Sequence, residues 1–374
     1  MDIAIFGAGI AGLMTAITMR AQGHRCRIYE RSRQALDAGM GFILVPEGIA
    51  CMKSFGVPLT GALGGTPLQR YFCRDATGRI IHEEKMPRGA RGIRRRDLTT
   101  ALGRALPHDE EPVFDAALDR LELDEQQNVT SAHLQTATGR TRIQADLYVS
   151  AEGINSRARQ AMFHDWPSVP DRVPEIVGLV RCDKAVSWAG HSFNKFHAEG
   201  GGIAVGVLPV DAEHVVWYLQ FDAQRFPLTP EALGNGSMGA EARRAHVQEL
   251  VGSWAHPIPS LVAQTDFSRV HLWRPIETDL VPGFHRQNLV LVGDAAHPLS
   301  PFTSQGVSSA VADAVALAET VTGKIAKEGE LATALEHYSR QRRAQCVPYI
   351  AKGRELTQQF LEPLSAGRRL LPIA

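Results

Sequence analysis

An α/β fold is predicted, in which the parallel strands of a nucleotide-binding unit are interrupted by an antiparallel sheet and closed by a C-terminal helix. Three observations carry that expectation. The chain opens on a strand, a glycine-rich turn and an apolar helix, MDIAIFGAGIAGLMTAITMRAQG. From about residue 173 to 274 it changes to short β-type runs separated by Pro, Gly and acidic turns. Near residue 290 a second apolar strand ends in Gly293-Asp294 and leads into a long helical stretch.

Asp2-Ile3-Ala4-Ile5-Phe6 reads as a short buried strand, and Gly7-Ala8-Gly9-Ile10-Ala11-Gly12 follows it directly into the helix. This is the order of a Rossmann-like dinucleotide site. Its glycines permit the turn and the close approach of a pyrophosphate, which then faces the helix N–H groups. A second strand, Arg25 to Tyr29, ends at Glu30-Arg31. A carboxylate about 20 residues after the loop suits a ribose with a free 2′-OH, so the turn is matched to FAD or NAD rather than NADP. The loop alone does not separate those two.

Asn288 to Val292 forms the late strand, and Asp294 stands just beyond its carboxyl end, the edge at which open α/β sheets bind ligands. A Pro-bounded loop follows, then a helical run from about Gln305. Gln305-Gly306-Val307 would present free N–H groups at that helix start, where the helix dipole favours negative charge. An extended cofactor with its adenine end on the first loop and its other end here explains both segments. FAD is such a molecule: Asp294 would hold its ribityl chain, and the helix start would face the flavin pyrimidine oxygen.

Between these segments Ile176–Val180, Ile203–Leu208 and Val215–Phe221 read as strands, and Tyr71–Cys73 and Arg79–His82 as two more. LTPEALGNGSMGAEARR enters a helix running to about Trp254, and Leu331–Leu361 has helical spacing and is expected to pack across the domains. The expected division is 1–172 and 275–325 for the nucleotide-binding domain, 173–274 for the inserted sheet domain, and 326–374 for the C-terminal helical segment, with about 71–90 joining the sheet.

Composition narrows the class. The 374 residues carry 40 Lys plus Arg and 40 Asp plus Glu, so no net field draws the chain to nucleic acid or acidic lipid. The five cysteines are scattered without metal-ligand spacing, which points to no metal and to free thiols in a reducing cytoplasm. No apolar run of transmembrane length occurs, and a strand starting at Asp2 leaves no room for a secretory signal. The terminal GRRLLPIA is too short for more than a weak surface contact.

The ordered set GAGIAG (7–12), DLYVSAEGINSRAR (146–159) and LVGDAAHPLSPFTSQGVSSAVADA (291–314), with GMGFILVP (39–46) and RRRDLTTAL (94–102), resembles the FAD-dependent aromatic hydroxylases. These are single-component flavoprotein monooxygenases that include para-hydroxybenzoate, salicylate and 6-hydroxynicotinate hydroxylases. The resemblance spans nearly the whole chain. It implies a Rossmann-like FAD-binding domain with an inserted antiparallel substrate domain. Activity would be NAD(P)H-dependent hydroxylation of a small aromatic or heteroaromatic substrate by O2 through a C4a-hydroperoxyflavin, in a cytoplasmic monomer or homodimer.

Carried over by position, the resemblance implies FAD contacts from Gly7, Gly9, Ala11, Gly12, Glu30, Arg31, Arg95, Gly293, Asp294, Pro301, Gly306 and Val307. Glu152 and Gly153 would also serve the transient nicotinamide. Several positions depart from the family pattern: Glu152 stands where Asp is usual, Ser304 where Gly is usual, Ser308 and Glu47 where Asn is usual, and Ile43 at the position of one relative's catalytic His.

The catalytic group is not legible. His297, Tyr218 and His197 are candidates, His297 because imidazole titrates near neutrality; a loop or packing role is the plain alternative for each. His191 and His214 have the same two readings, and Trp188, Trp217 and Trp273 can be plain core aromatics. Two other functions fit the same fold: a flavin reductase or dehydrogenase without oxygen insertion, and a flavin-binding sensor or inactive partner. Trp254-Ala255-His256-Pro257-Ile258-Pro259 resembles the Trp-x-Trp-x-Ile-Pro signature of flavin-dependent halogenases, but His256 replaces its second Trp.

Overall fold

The computed structural model describes residues 1–33, 40–107, 111–164, 166–167, 169–328 and 331–364. Gly39 of the third-strand motif and the terminal GRRLLPIA lie outside the described residues.

The strand Asp2–Phe6 is central in a five-stranded sheet, flanked in parallel by Arg25–Tyr29 on one side and Leu147–Ser150 on the other. Leu289–Leu291 pairs in parallel beyond Leu147–Ser150, and His285–Arg286 closes the edge antiparallel. Ile3 to Phe6, Leu147 to Ser150 and Leu289 to Leu291 are buried throughout. Both faces of the sheet are therefore covered, which explains why these strands read as continuous apolar runs. The late strand is shorter than expected at both ends.

Helix Ile10–Ala21 covers one face and ends where Gly23 takes a left-handed φ of 84°. It packs against the long helix Gly306–Glu328, with Thr18 Oγ1 donating to the Ala314 carbonyl at 3.0 Å. The turn after the late strand is pressed into the same contact, since a Cβ on Gly293 would stand 2.9 Å from Ala11 Cβ. Two segments almost three hundred residues apart thus meet at the carboxyl end of one sheet.

The second large layer is a seven-stranded sheet in the order His271–Trp273, Glu175–Arg181, His214–Phe221, Ile203–Pro209, Ser192–His197, Arg70–Asp75, Ile80–Lys85. All neighbours are antiparallel except Ser192–His197 beside Arg70–Asp75. One face carries Phe196, Val205, Trp217, Leu219 and Phe221 against the helices Gly236–Val251 and Ile258–Gln264. The other carries Tyr71, Val177, Phe193, Leu208 and Tyr218 toward the first sheet. A three-stranded sheet spanning Ala116–Ile143, not foreseen in the sequence, packs beside the first layer.

Helix Leu331–Leu361 ties the layers together. Tyr338 Oη donates to the Leu291 carbonyl at 3.0 Å and Ser339 Oγ accepts from the Phe284 N–H at 2.8 Å. At its far end the Phe360 carbonyl accepts from the Gly202 N–H at 2.8 Å in the seven-stranded layer. Among the described residues no helix is long and apolar enough to cross a membrane.

Candidate active site

The glycine turn is built by close contacts. A Cβ on Gly7, at φ 105°, would meet the Ala151 carbonyl oxygen at 2.4 Å, and one on Gly12 would meet the Gly7 carbonyl oxygen at 1.9 Å. Gly9 differs, because the nearest atom to its Cβ position is on the Arg95 guanidinium, 3.9 Å away. Its exposed face looks into a cavity. Glu30 clasps the turn, accepting from the Ala8 N–H at 2.8 Å with one oxygen and from the Ser32 N–H at 2.9 Å with the other.

A cavity of about 510 Å³ lies between the two sheets. Its floor is formed by Gly9, Ala11, Arg31, Arg95, Glu152, Gly153, Gly293, Asp294, Pro301, Gly306 and Val307, so the first loop, the middle motif and the late motif share one chamber. Gly7, Gly12 and Glu30 do not line it; they shape the turn from behind. Asp294 is partly open to the cavity, and among the described residues nothing donates to its carboxylate. Burial pushes that carboxyl up, opposed by the positive charges of His297 and Arg95.

Glu152 has a local task as well as a place on the wall. One carboxylate oxygen accepts from Ser150 Oγ at 2.9 Å, Ser156 Oγ at 3.1 Å and the Ala158 N–H at 3.1 Å, which fixes the turn into helix Arg157–Met162. Ser304 stands at φ 52° and ψ 19°, a left-handed conformation that glycine adopts without cost. This accounts physically for the glycine usual at that position.

Strand register decides which residues form the roof. Lys195 is opposite Gly206, Gly206 opposite Tyr218, and Tyr218 opposite Val177, so these four point to one face. The next row on that face contains Ala204, Gln220 and Glu175. Val177, Lys195, Tyr218, Gln220 and Glu175 all line the cavity. Gly206 is required in the middle of the row, because a Cβ there would fall 2.2 Å from two atoms of the Tyr218 ring.

The roof is largely apolar and bears a few buried polar groups. Gln220 Nε2 donates to Glu175 Oε1 at 2.6 Å. Burial lifts the Glu175 carboxyl to about 7 against the opposing pull of that bond and of Lys195. Lys195, only 2% exposed, is lowered to about 8 by burial, with Glu175 resisting. Its ammonium lies 5.0 Å from the centre of the Phe302 ring and 5.9 Å from that of Tyr218.

Of the three catalytic candidates read from sequence, Tyr218 reaches the cavity, whereas His297 and His197 do not. His297 is turned into the helix-packed interior, with Nε2 2.6 Å from Asp313 Oδ2. His197 is on the cavity-facing side of the sheet, but two residues past Lys195 it is buried beyond the chamber. His191 is exposed beside the Pro67 carbonyl, and His214 pairs with Asp211 at a strand end. Trp217 is core, its indole N–H donating to Thr265 Oγ1 at 2.9 Å, while Trp273 lines the chamber. Lys195, Glu175 and Gln220 were not anticipated; a Lys between Phe193 and Phe196 in a β-type run was the available signal.

Comparison with known proteins agrees with this geometry. A family model described as an FAD binding domain matches residues 1–347. The chain is 27% identical over 372 residues to 3-amino-4-hydroxybenzoate 2-monooxygenase of Streptomyces cremeus, covering 96% of this chain and 88% of that protein. It is 25% identical over 372 residues to 6-hydroxynicotinate 3-monooxygenase of Pseudomonas fluorescens, covering 93% and 90%. Among solved structures, 2,6-dihydroxypyridine-3-hydroxylase of Arthrobacter nicotinovorans superposes with a TM-score of 0.82 at 18% identity, covering 100% of this chain and 96% of that one. HpxO of Klebsiella pneumoniae, in complex with FAD and uric acid, gives 0.79 at 23% identity, covering 96% and 88%. With a glycine turn, a middle motif and a late motif converging on one chamber inside the matched span, the chain belongs to the FAD binding domain family.

Proposed function

We infer that this chain is an FAD-dependent monooxygenase that uses NADH or NADPH and O2 to hydroxylate a small aromatic or heteroaromatic ring. The observation that carries the reading is a single chamber with a dinucleotide-type floor and a largely apolar roof bearing a few inward polar groups. Hydroxylase relatives over almost the full chain support it. Bound FAD supplies electron transfer from the nicotinamide and activation of O2.

The residues present fit that cofactor. Gly9 opens its face to the chamber where any Cβ would intrude, and the Ile10–Ala21 helix start lies beside it. Arg95 contributes positive charge over the same loop. Asp294, with no donor to its carboxylate among the described residues, is suited to hydroxyl groups of a bound chain, and the start of helix Gly306–Glu328 offers N–H groups to an electron-rich edge. Segments 1–172 and 275–325 serve as the cofactor floor. The sheet of 173–274, joined by Arg70–Asp75 and Ile80–Lys85, serves as the substrate roof, where its apolar residues exclude water from the reacting centre.

The roof offers Tyr218 as the group for holding or moving a substrate proton, which burial keeps in its phenol form. The halogenase-like stretch Trp254–Pro259 packs on the far side of the roof and leaves the chamber untouched. We also infer a cytoplasmic monomer or homodimer with no nucleic-acid partner, in keeping with the balanced charge and the free cysteines.

The test is anaerobic titration of the FAD-loaded chain with NADH or NADPH in the presence of small phenolic acids and hydroxylated N-heterocycles, then turnover under 18O2. Ligand-accelerated bleaching of the flavin and one 18O in the product are expected. Reduction without 18O incorporation would indicate a reductase, and a flavin that neither nicotinamide bleaches would indicate a sensor.

A further inference from the structure

Lys195 is a buried cation on the wall of the chamber. It is 2% exposed, yet among the described residues it has no ion pair and no hydrogen bond. The ring centres of Phe302, Tyr218 and Phe360 lie 5.0, 5.9 and 6.0 Å from the ammonium, and such contacts replace only part of the hydration a buried cation loses. Glu175 is its carboxylate neighbour in the roof, but no ion pair joins the two among the described residues, and Glu175 Oε1 accepts from Gln220 instead. The sheet register turns the Lys195 side chain into the chamber, and the Tyr218 hydroxyl in the same row also lacks a protein partner among the described residues. A buried cation that turns into a ligand cavity without a direct protein ion pair among the described residues is suited to an anionic group on the ligand.

We propose that Lys195 is the specificity residue of this chamber and binds an anionic oxygen on a planar ring substrate, with the Tyr218 hydroxyl as a second donor beside it. The ring carries either a carboxylate or an ionised acidic hydroxyl, since both present the same oxygen charge to the ammonium. Glu175 and Gln220 keep the roof polar behind Lys195, and Gly206 leaves the space that lets Tyr218 lie next to it. This assignment rests on the chamber being the substrate site of the flavoenzyme proposed above.

Calorimetric titration of the FAD-loaded chain at neutral pH tests it with two matched pairs: benzoate against benzamide, and pentafluorophenolate against pentafluoroanisole. At least one anion is expected to bind about tenfold or more tightly than its neutral partner, the discrimination given by a buried charge-assisted hydrogen bond. In Lys195→Met that preference should vanish while FAD content is kept, and Lys195→Gln provides the same measurement with a polar side chain. Preference within the first pair alone identifies a carboxylate, and within the second alone an acidic hydroxyl.

The proposal is overturned if the native protein shows no preference in either pair, including the case in which none of the four binds. It is also overturned if the preference survives in both variants. Failure of the flavoenzyme reading looks different: the native chain would not take up FAD, or its FAD would not be reduced, while any anion preference would still follow Lys195.

Discussion

His297 Nε2 stands 2.6 Å from Asp313 Oδ2, and both side chains are buried beneath the late strand. The same Asp313 oxygen accepts from the Gly293 N–H at 2.7 Å, and its other oxygen accepts from Arg342 Nε at 2.6 Å. One carboxylate therefore holds the turn that presents Asp294 to the chamber. Burial alone would lower the His297 pKa, but the Asp313 charge outweighs it and raises the ring to about 10. The His297 contribution to stability is thus complete below the ordinary histidine range of about 6.5 and is lost as pH rises through about 10. Asp313, held below the carboxylate range, contributes above about 3.9 and loses that contribution as pH falls through its folded value. Urea unfolding should give a stability plateau at weakly acidic pH, between about 3.9 and about 6.5. Asp313→Asn should lower that plateau by about 3–5 kcal/mol, because it leaves two buried cations without their carboxylate.

Asp294→Ala tests the floor without disturbing that support. The carboxylate has no protein donor among the described residues, so removing it breaks no bond of the fold. Affinity for FAD should fall by about 1.5–3 kcal/mol, the range for a charged hydrogen-bonding partner. Flavin content of the purified variant and its thermal midpoint measure the two effects separately. Unchanged FAD affinity would remove Asp294 from the cofactor site.

The floor was legible in the sequence because its geometry is local. A turn in which Gly12 has no room for a Cβ against the Gly7 carbonyl can be written only with glycine, and the strands Asp2–Phe6 and Arg25–Tyr29 have the bounds read from the sequence. The roof was less legible because its geometry is relational. Every residue of Ser192–His197 is buried, so the strand has no alternation from which to choose a face, and its parallel neighbour Arg70–Asp75 lies far away in the chain. Lys195 could be assigned to the chamber only once the register with Gly206 and Tyr218 was known. His297 misleads in the opposite direction: it sits in the most recognisable motif of the chain, but its partner Asp313 lies a helix turn and more beyond the loop and draws it inward.

Gly206→Ala tests the shape of the roof. The new Cβ would fall 2.2 Å from the Tyr218 ring, which fills the space directly across the strand pair. Overpacking of this kind costs about 1–3 kcal/mol and displaces the ring toward the chamber. Thermal stability should fall by that order while FAD content is retained, since the floor does not touch Gly206. In turnover, more of the NAD(P)H consumed should appear as H2O2 and less as hydroxylated product. Full coupling in a destabilised variant would show that Tyr218 does not shape the reacting site.

Affinity for an anionic ligand should depend on pH in a direction set by the roof. Lys195, lowered to about 8 by burial, is cationic below that value and neutral above it. Glu175, raised to about 7 by burial, gains negative charge as pH rises through its own range. Glu175 is the group whose charge favours the Lys195 cation in this range, because burial raises the nearby Cys73 thiol to about 11 and keeps it neutral, and the buried His197 ring feels that cation in turn. Rising pH first adds a repelling carboxylate near the ligand and then removes the attracting ammonium, so both changes weaken binding. Calorimetric Kd values for the anion preferred by the native chain should therefore rise above about pH 7 and more steeply above about pH 8, by up to about tenfold per pH unit for each proton lost. Lys195→Met should abolish the rise due to the ammonium and move the Glu175 rise to higher pH, because the lysine charge that holds that carboxyl down is gone. A native profile that stays flat through this range would mean that neither group faces the ligand.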